Sequence, residues 1–160
     1  IQNLTQFKGI GDAKAVSIVA AMELGRRRQA EEPQALKVIS SSKAVFNIMQ
    51  PLLGELPHEE FWVLYLNNSN KVIYKAQLSK GGITGTVADV RLIFATALKS
   101  AASGIIISHN HPSGNLKPSE RDKDVTKKIR EAGDMLDIKL MDHIIVGHEG
   151  QYLSFSDENI

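Results

Sequence analysis

Cysteine is absent from this 160-residue chain. That removes disulfide bonds, and with them the Cys-ligated zinc site of nucleobase deaminases. Long apolar runs are missing as well. No stretch is long enough to span a bilayer and no signal peptide opens the chain, so the cytoplasm is the default location. An excess of one charge is also lacking: 19 Lys and Arg face 18 Asp and Glu, a net +1. No global field therefore argues for nucleic acid, and any basic patch has to be local. A Gly-rich phosphate loop, a His-Glu-x-x-His pair and a Gly-x-Ser-x-Gly elbow are all absent, as are internal repeats and low-complexity segments. What remains is 42% hydrophobic and 23% charged, an ordinary globular composition able to bury a core. The length fits one domain, or one domain with an appendage. The first residue is Ile1 rather than Met, which reads as a fragment.

The most informative stretch runs from Ser108 to Asp122. It follows Gly104-Ile105-Ile106-Ile107, a β-branched run expected to form a buried strand. Residues two apart in a strand share a face, so His109 and His111 point their imidazoles the same way. Pro112-Ser113-Gly114-Asn115 then turns the chain. After Pro118, Ser119 suits the N-cap of a helical pattern, which puts Asp122 in the first turn. Two imidazoles and one carboxylate can thus converge where a strand ends and a helix begins. Three N/O ligands with a fourth position open is how catalytic zinc is held. A plainer alternative is that Ser119-x-x-Asp122 is a capping box and the histidines only hydrogen-bond the strand end. Two alternate histidines, a turn and a capped carboxylate together favour the metal.

His109-x-His111, seven residues, then Ser119-x-x-Asp122 resembles the zinc signature of the JAMM (MPN-plus) metallohydrolases. The wording His-Asn-His-Pro-Ser-Gly-Asn, with Pro118-Ser119 following, is closer still to the RadC family of bacterial JAMM-like proteins. The similarity runs from about Ala35 to Ser154. It implies zinc on His109, His111 and Asp122, which would lower the pKa of a bound water and polarise a carbonyl. It also implies that Ser119 stabilises the tetrahedral oxyanion, its proton being free to donate even if its oxygen caps the helix. A Glu on an upstream strand would be the general base. Glu59 and Glu60 compete for that role because adjacent strand residues face opposite ways, and periodicity alone cannot choose between them. The RadC-like pattern of a Glu immediately before the strand's aromatic selects Glu60.

The rest of the chain is organised around that site. Phe7 to Ala15 looks like the turn and second helix of a helix-hairpin-helix, whose Gly9-Ile10-Gly11 turn, flanked by Lys8 and Lys14, would hold a DNA phosphate. Residues 1–6 are too short for the first helix, so residues 1–30 read as a partial module that would bind DNA only when completed in a parent protein. The following helix, from Asp12 to about Arg28, places Ala15, Ile18, Val19 and Met22 on one stripe, with a basic end at Arg26-Arg27-Arg28. Gln29 to Pro33 is a linker, and residues 35–160 form the metallohydrolase-like domain. In it we expect a helix from Lys43 to Leu53 bent or ended by Pro51, and a strand from Glu59 to Leu66. A hairpin at Asn67-Asn68-Ser69-Asn70 leads to a strand from Lys71 to Leu78. Breaks at Gly81, Gly82 and Gly85 precede a helix from Ala88 to Ala101. A helix from Glu120 to Leu136 with Val125, Ile129 and Ala132 inward leads to strands at Lys139–Val146 and Gln151–Ser154. The class is α/β with a mixed sheet, and the resemblance implies helices on both of its faces, as in JAMM and cytidine-deaminase-like folds.

The leading expectation is a zinc-dependent hydrolase of peptide, isopeptide or other amide bonds. RadC proteins are commonly labelled DNA repair proteins, so a repair link is an expectation from the family alone. The rival is a DNA-associated scaffold or binding module using the JAMM-like core without catalysis. A metal-dependent nuclease fits less well, because one His-rich site without a carboxylate cluster poorly suits two-metal phosphodiester chemistry. Asp142-His143 matches a recurrent RadC-like pair but suits a structural pair equally. Asn110 and Ser113 orient the loop or contact substrate, and His58 and His148 receive no role.

Overall fold

The computed structural model describes residues 4, 6–30, 37–80, 88–148 and 150–160, with the backbone alone at 25–30 and 80. The expected breaks at Gly81, Gly82 and Gly85, most of the linker, and the side chains of Arg26 to Arg28 lie outside the described residues. The chain divides into two compact units, Ile1–Ala35 and Leu36–Ile160.

The first unit carries α1 (Asp12–Ala30). A turn leads into it, with Ile10 N–H donating to Phe7 O and Gly9 at φ +90, a left-handed conformation that suits glycine. Of the expected stripe only Ala15 is buried. Ile18, Val19 and Met22 are exposed, as are Val16 and Leu24 beside them.

The second unit is a five-stranded mixed sheet. Its strands are β1 (Glu60–Leu66), β2 (Val72–Lys80), β3 (Gly104–Asn110), β4 (Lys139–Val146) and β5 (Tyr152–Ser154), in the order β2-β1-β3-β4-β5. The β3–β4 pair is parallel and the other three pairs are antiparallel. The β1–β2 hairpin closes at Asn67, whose Oδ1 accepts from Ser69 and Lys71 N–H groups, while Asn70 adopts φ 54. Asparagine tolerates that region and ties its own turn, which is why the expected hairpin forms there.

Helices cover both faces. On one, α2 (Ser42–Leu53) packs Val45, Phe46, Met49 and Leu53 against Leu64, Leu66, Ile106, Ile144 and Val146. Ser41 caps this helix, which runs through Pro51 to Leu53 rather than stopping at the proline. On the other face, α3 (Val90–Lys99) and α4 (Glu120–Met135) bury Ile93, Phe94, Ala97 and Ile129 against Phe61, Val63, Tyr65, Ile105 and Ile107. Alternation along β1 and β3 thus feeds two cores, and the near-continuous apolarity of both strands follows from that.

The buried line of α4 is Asp122, Thr126, Ile129 and Gly133, with Val125 and Ala132 only partly buried beside it. Gly133 has to be small: a Cβ there would sit 2.3 Å from Ile138 O, where the chain doubles back into β4. The upper part of the same line is polar, and it faces the end of β3.

Candidate metal centre

β3 delivers His109 as its penultimate residue, 1% exposed, on the face covered by α3 and α4. Its ring lies parallel to that of Phe61, directly across the β1–β3 ladder, with centroids 6.1 Å apart. His111 is the first residue beyond β3 and is anchored by its N–H to Val146 O at 3.1 Å. The turn that follows is tied by Gly114 N–H to His111 O, with Gly114 at φ +74. His148 Nε2 donates to Pro112 O at 2.7 Å, which gives this histidine a place in holding the turn.

The chain then enters α4 through a complete capping box. Ser119 Oγ accepts from Asp122 N–H, and Asp122 Oδ2 accepts from Ser119 N–H at 2.7 Å. The capping box and the ligand cluster coexist, because Asp122 has two oxygens. Oδ2 closes the cap, while Oδ1 lies 3.3 Å from His109 Nε2. The two imidazole Nε2 atoms are 2.9 Å apart, His111 Nε2 is 3.6 Å from Asp122 Oδ2, and the three donor atoms all fall within 4.8 Å of one another.

This donor set fits a divalent cation. His111 Nδ1 contacts Asn115 O, a carbonyl that can only accept, so that nitrogen carries the hydrogen and the neutral ring turns its Nε2 lone pair to the cluster. Two aromatic nitrogens and a carboxylate oxygen so close together need positive charge among them. The ionisation of the cluster reflects the same need. Burial pushes the Asp122 carboxyl up, but hydrogen bonds from His109, His111 and Ser119 outweigh it and hold the group well below the usual carboxylate range. The Asp122 carboxylate raises His111 against the opposing effect of burial, with Asn115 O and the charge of Glu59 adding to the rise. His143, 1% exposed, is pushed well below the ordinary histidine value by burial and by the neighbouring His109.

A family profile described as a RadC-like JAB domain matches residues 39–160. A UPF0758 protein of Flavobacterium johnsoniae is 64% identical over 160 residues, covering 100% of this chain and 69% of that protein. One from Porphyromonas gingivalis is 47% identical over 161 residues (100% and 71%), and one from Methanosarcina mazei 39% over 158 residues (99% and 69%). The chain belongs to the RadC family.

The mixed sheet with helices on both faces is the RadC fold expected above, and no helix among the described residues is long and apolar enough to cross a membrane. Two of the expected site residues have surroundings that do not match the roles expected of them. The RadC-like pattern selects Glu60 as the base, yet Glu60 faces away from the metal ligands. It is 5% exposed, its Oε2 accepts from Trp62 Nε1–H at 3.0 Å, and its Oε1 pairs with His58 Nε2 at 2.9 Å. Trp62 packs with the α2 core, on the opposite face from Phe61 and His109. Glu59, half-buried, lines a cleft of about 260 Å³ together with Phe61, Val90, Asp122 and Val125. Which glutamate faces the cluster has a physical reason: His109 shares a face with Phe61, and only the β1–β3 ladder reveals it.

Ser119 is the second such residue. Its hydroxyl proton is not free for an oxyanion, since Oγ donates to Asp122 Oδ2 at 2.7 Å. It holds the carboxylate in place.

Asn110 proves to be a clamp. Its Oδ1 accepts from Glu60 N–H at 2.8 Å and its Nδ2 donates to His58 O at 2.9 Å, so one amide grips the backbone on both sides of Glu59. In the first unit, Lys8, Gly9, Gly11 and Lys14 gather at the start of α1, where Lys14 Nζ donates to Gly9 O at 3.0 Å.

Proposed function

We propose that the protein is a metal-dependent hydrolase of peptide, isopeptide or other amide bonds, with zinc held by His109 Nε2, His111 Nε2 and Asp122. The observation that carries this reading is a carboxylate outside the ligand set, Glu59, in the same cleft as the ligand Asp122. Zinc in such a site supplies Lewis acidity toward a carbonyl and toward water. Glu59 takes a proton from the attacking water and passes it to the leaving amine, the work of a general base and then a general acid. Phe61, Val90 and Val125 give the cleft an apolar wall that excludes water and seats an apolar side chain of the substrate. Asn110 keeps Glu59 aimed, and Ser119 keeps Asp122 aimed.

The test is cleavage of a peptide library by the zinc-loaded protein and two variants. Glu59→Gln is expected to bind zinc normally and to lose about 10²–10⁴-fold in turnover, the usual span for a general base. Glu60→Gln is expected to keep its turnover but to lose roughly 1 kcal/mol of stability, as a charged acceptor for Trp62 becomes neutral. An inactive Glu60→Gln beside an active Glu59→Gln would restore Glu60 as the base. Normal zinc binding with no cleavage of any peptide would favour the DNA-associated scaffold, the reading to which the separate N-terminal unit and its turn at Gly9 lend support.

A further inference from the structure

Behind His109, on the side away from Asp122 and His111, lies a second buried imidazole that the proposed chemistry does not use. His143 sits on β4, across the parallel ladder from Ile107. Its Nε2 is 2.8 Å from His109 Nδ1, and its Nδ1 is 2.7 Å from Thr126 Oγ1. Thr126 Oγ1 is in turn 2.6 Å from Asp122 O, one turn back along α4. Phe155 stacks on the His143 ring with centroids 4.4 Å apart, so the ring cannot tilt freely out of this line.

Only one arrangement of hydrogens satisfies this chain when the His143 ring is neutral. A carbonyl cannot donate, so the single hydroxyl hydrogen of Thr126 goes to Asp122 O. The Thr126 oxygen then accepts, and His143 Nδ1 must carry the hydrogen it receives. A neutral imidazole protonated at Nδ1 has its lone pair at Nε2, so His143 Nε2 accepts from His109 Nδ1–H. A neutral His109 is then left with its lone pair at Nε2, the atom that faces Asp122 and His111.

We propose that His143 and Thr126 are positioning residues that fix the tautomer of His109, presenting Nε2 to the metal as a lone pair. The inference rests on the metal-site reading above. In zinc sites a ligating imidazole usually gives its other N–H to a carboxylate, a backbone carbonyl or water. Here a buried neutral imidazole takes that part, and a helix carbonyl sets its direction through one hydroxyl. The carbonyl belongs to Asp122, so the same residue that supplies the carboxylate ligand also orients the imidazole ligand. Ligand and tautomer are set from one point on α4.

Two measurements on the whole chain test this. In the metal-free protein, at a pH where both rings are neutral, nitrogen-15 NMR of the imidazoles should show His109 and His143 both protonated at Nδ1 and not at Nε2. Finding His109 with its hydrogen at Nε2 overturns the relay, whatever the metal does. The second is zinc affinity by competition with a chromophoric chelator. His143→Leu and the near-isosteric Thr126→Val should each weaken zinc binding by about 10-fold or more, the usual cost of losing such a partner. His143→Gln, whose amide oxygen can still accept from His109 Nδ1–H, should recover most of that loss. If His143→Leu does not fold, Thr126→Val and the NMR measurement decide. Folded variants with unchanged zinc affinity overturn the proposal. A wild-type protein that binds no zinc overturns the metal reading instead, and the NMR result still judges the tautomers by itself.

Discussion

At His111 a proton and, in the proposed metal site, a cation compete for one nitrogen. Asp122 raises His111 above its unfolded value, near ~6.5, so its contribution to stability is present below that pH and is lost as pH rises through the folded value. The Asp122 carboxyl is depressed, so its contribution is present above the unfolded value of ~3.9 and is lost only as pH falls through the folded one. The metal-free pair is therefore fully effective between about pH 4 and 6.5. Above that window the proton leaves, and in the proposed site a cation takes over its role. Thermal melts with and without zinc should show a larger zinc-induced rise in Tm at pH 8 than at pH 5.5. Equal rises at the two values would mean that His111 is not a ligand. The Glu59–Glu60 pair shows how strand parity separates two like neighbours. Both are acidic and adjacent, and shifting a strand by one residue exchanges their faces.

Among the elements, the first turn of α4 joins fold to site. Its cap satisfies backbone N–H groups that a helix start leaves unpaired, and the same carboxylate reaches the cluster. Ser119→Ala removes both the oxygen that caps Asp122 N–H and the hydroxyl that holds Oδ2. The expected cost is about 1 kcal/mol of stability, a fall in Tm of roughly 2–4 °C for a chain of this size. Zinc affinity should fall as well, because Asp122 loses its aim, whereas Ser119→Thr should keep both. A Ser119→Ala protein with a lower Tm but wild-type zinc affinity would confine Ser119 to capping. The polar line Asp122, Thr126 along α4 explains why an apolar pattern finds only part of this helix's inward face. An apolar pattern passes over Thr126, and Asp122 is found only by its spacing from the two histidines, yet both are buried. His143 is hidden in the same way: it opens the buried half of β4, before Ile144, Ile145 and Val146, but its partners come from β3 and α4.

For the molecule as a whole, the compactness of Leu36–Ile160, with its own two cores, predicts that this segment folds alone. Removing residues 1–35 should leave a cooperative thermal transition and unchanged zinc affinity. Loss of the cooperative melt on removal would make the first unit part of the fold. Local chemistry in the sequence determined much of this second unit. The Asn67–Asn70 hairpin, the N-cap at Ser119 and the alternation along β3 are short-range effects, readable because turn residues, caps and strand parity act within a few positions. The convergence of His109, His111 and Asp122 belongs with them, since one turn separates the three. Glu59, Asn110, His143 and Thr126 could not be read that way. Each gains its place across a strand ladder or a helix–sheet interface, with partners 17 to 52 positions distant for the bonds Thr126–His143, His143–His109 and those of the Asn110 side chain. Which of two adjacent glutamates faces the cleft, and which nitrogen of His109 keeps its lone pair, are settled only when β1, β3, β4 and α4 pack, because register and hydrogen-bond direction are properties of paired elements and not of either sequence alone.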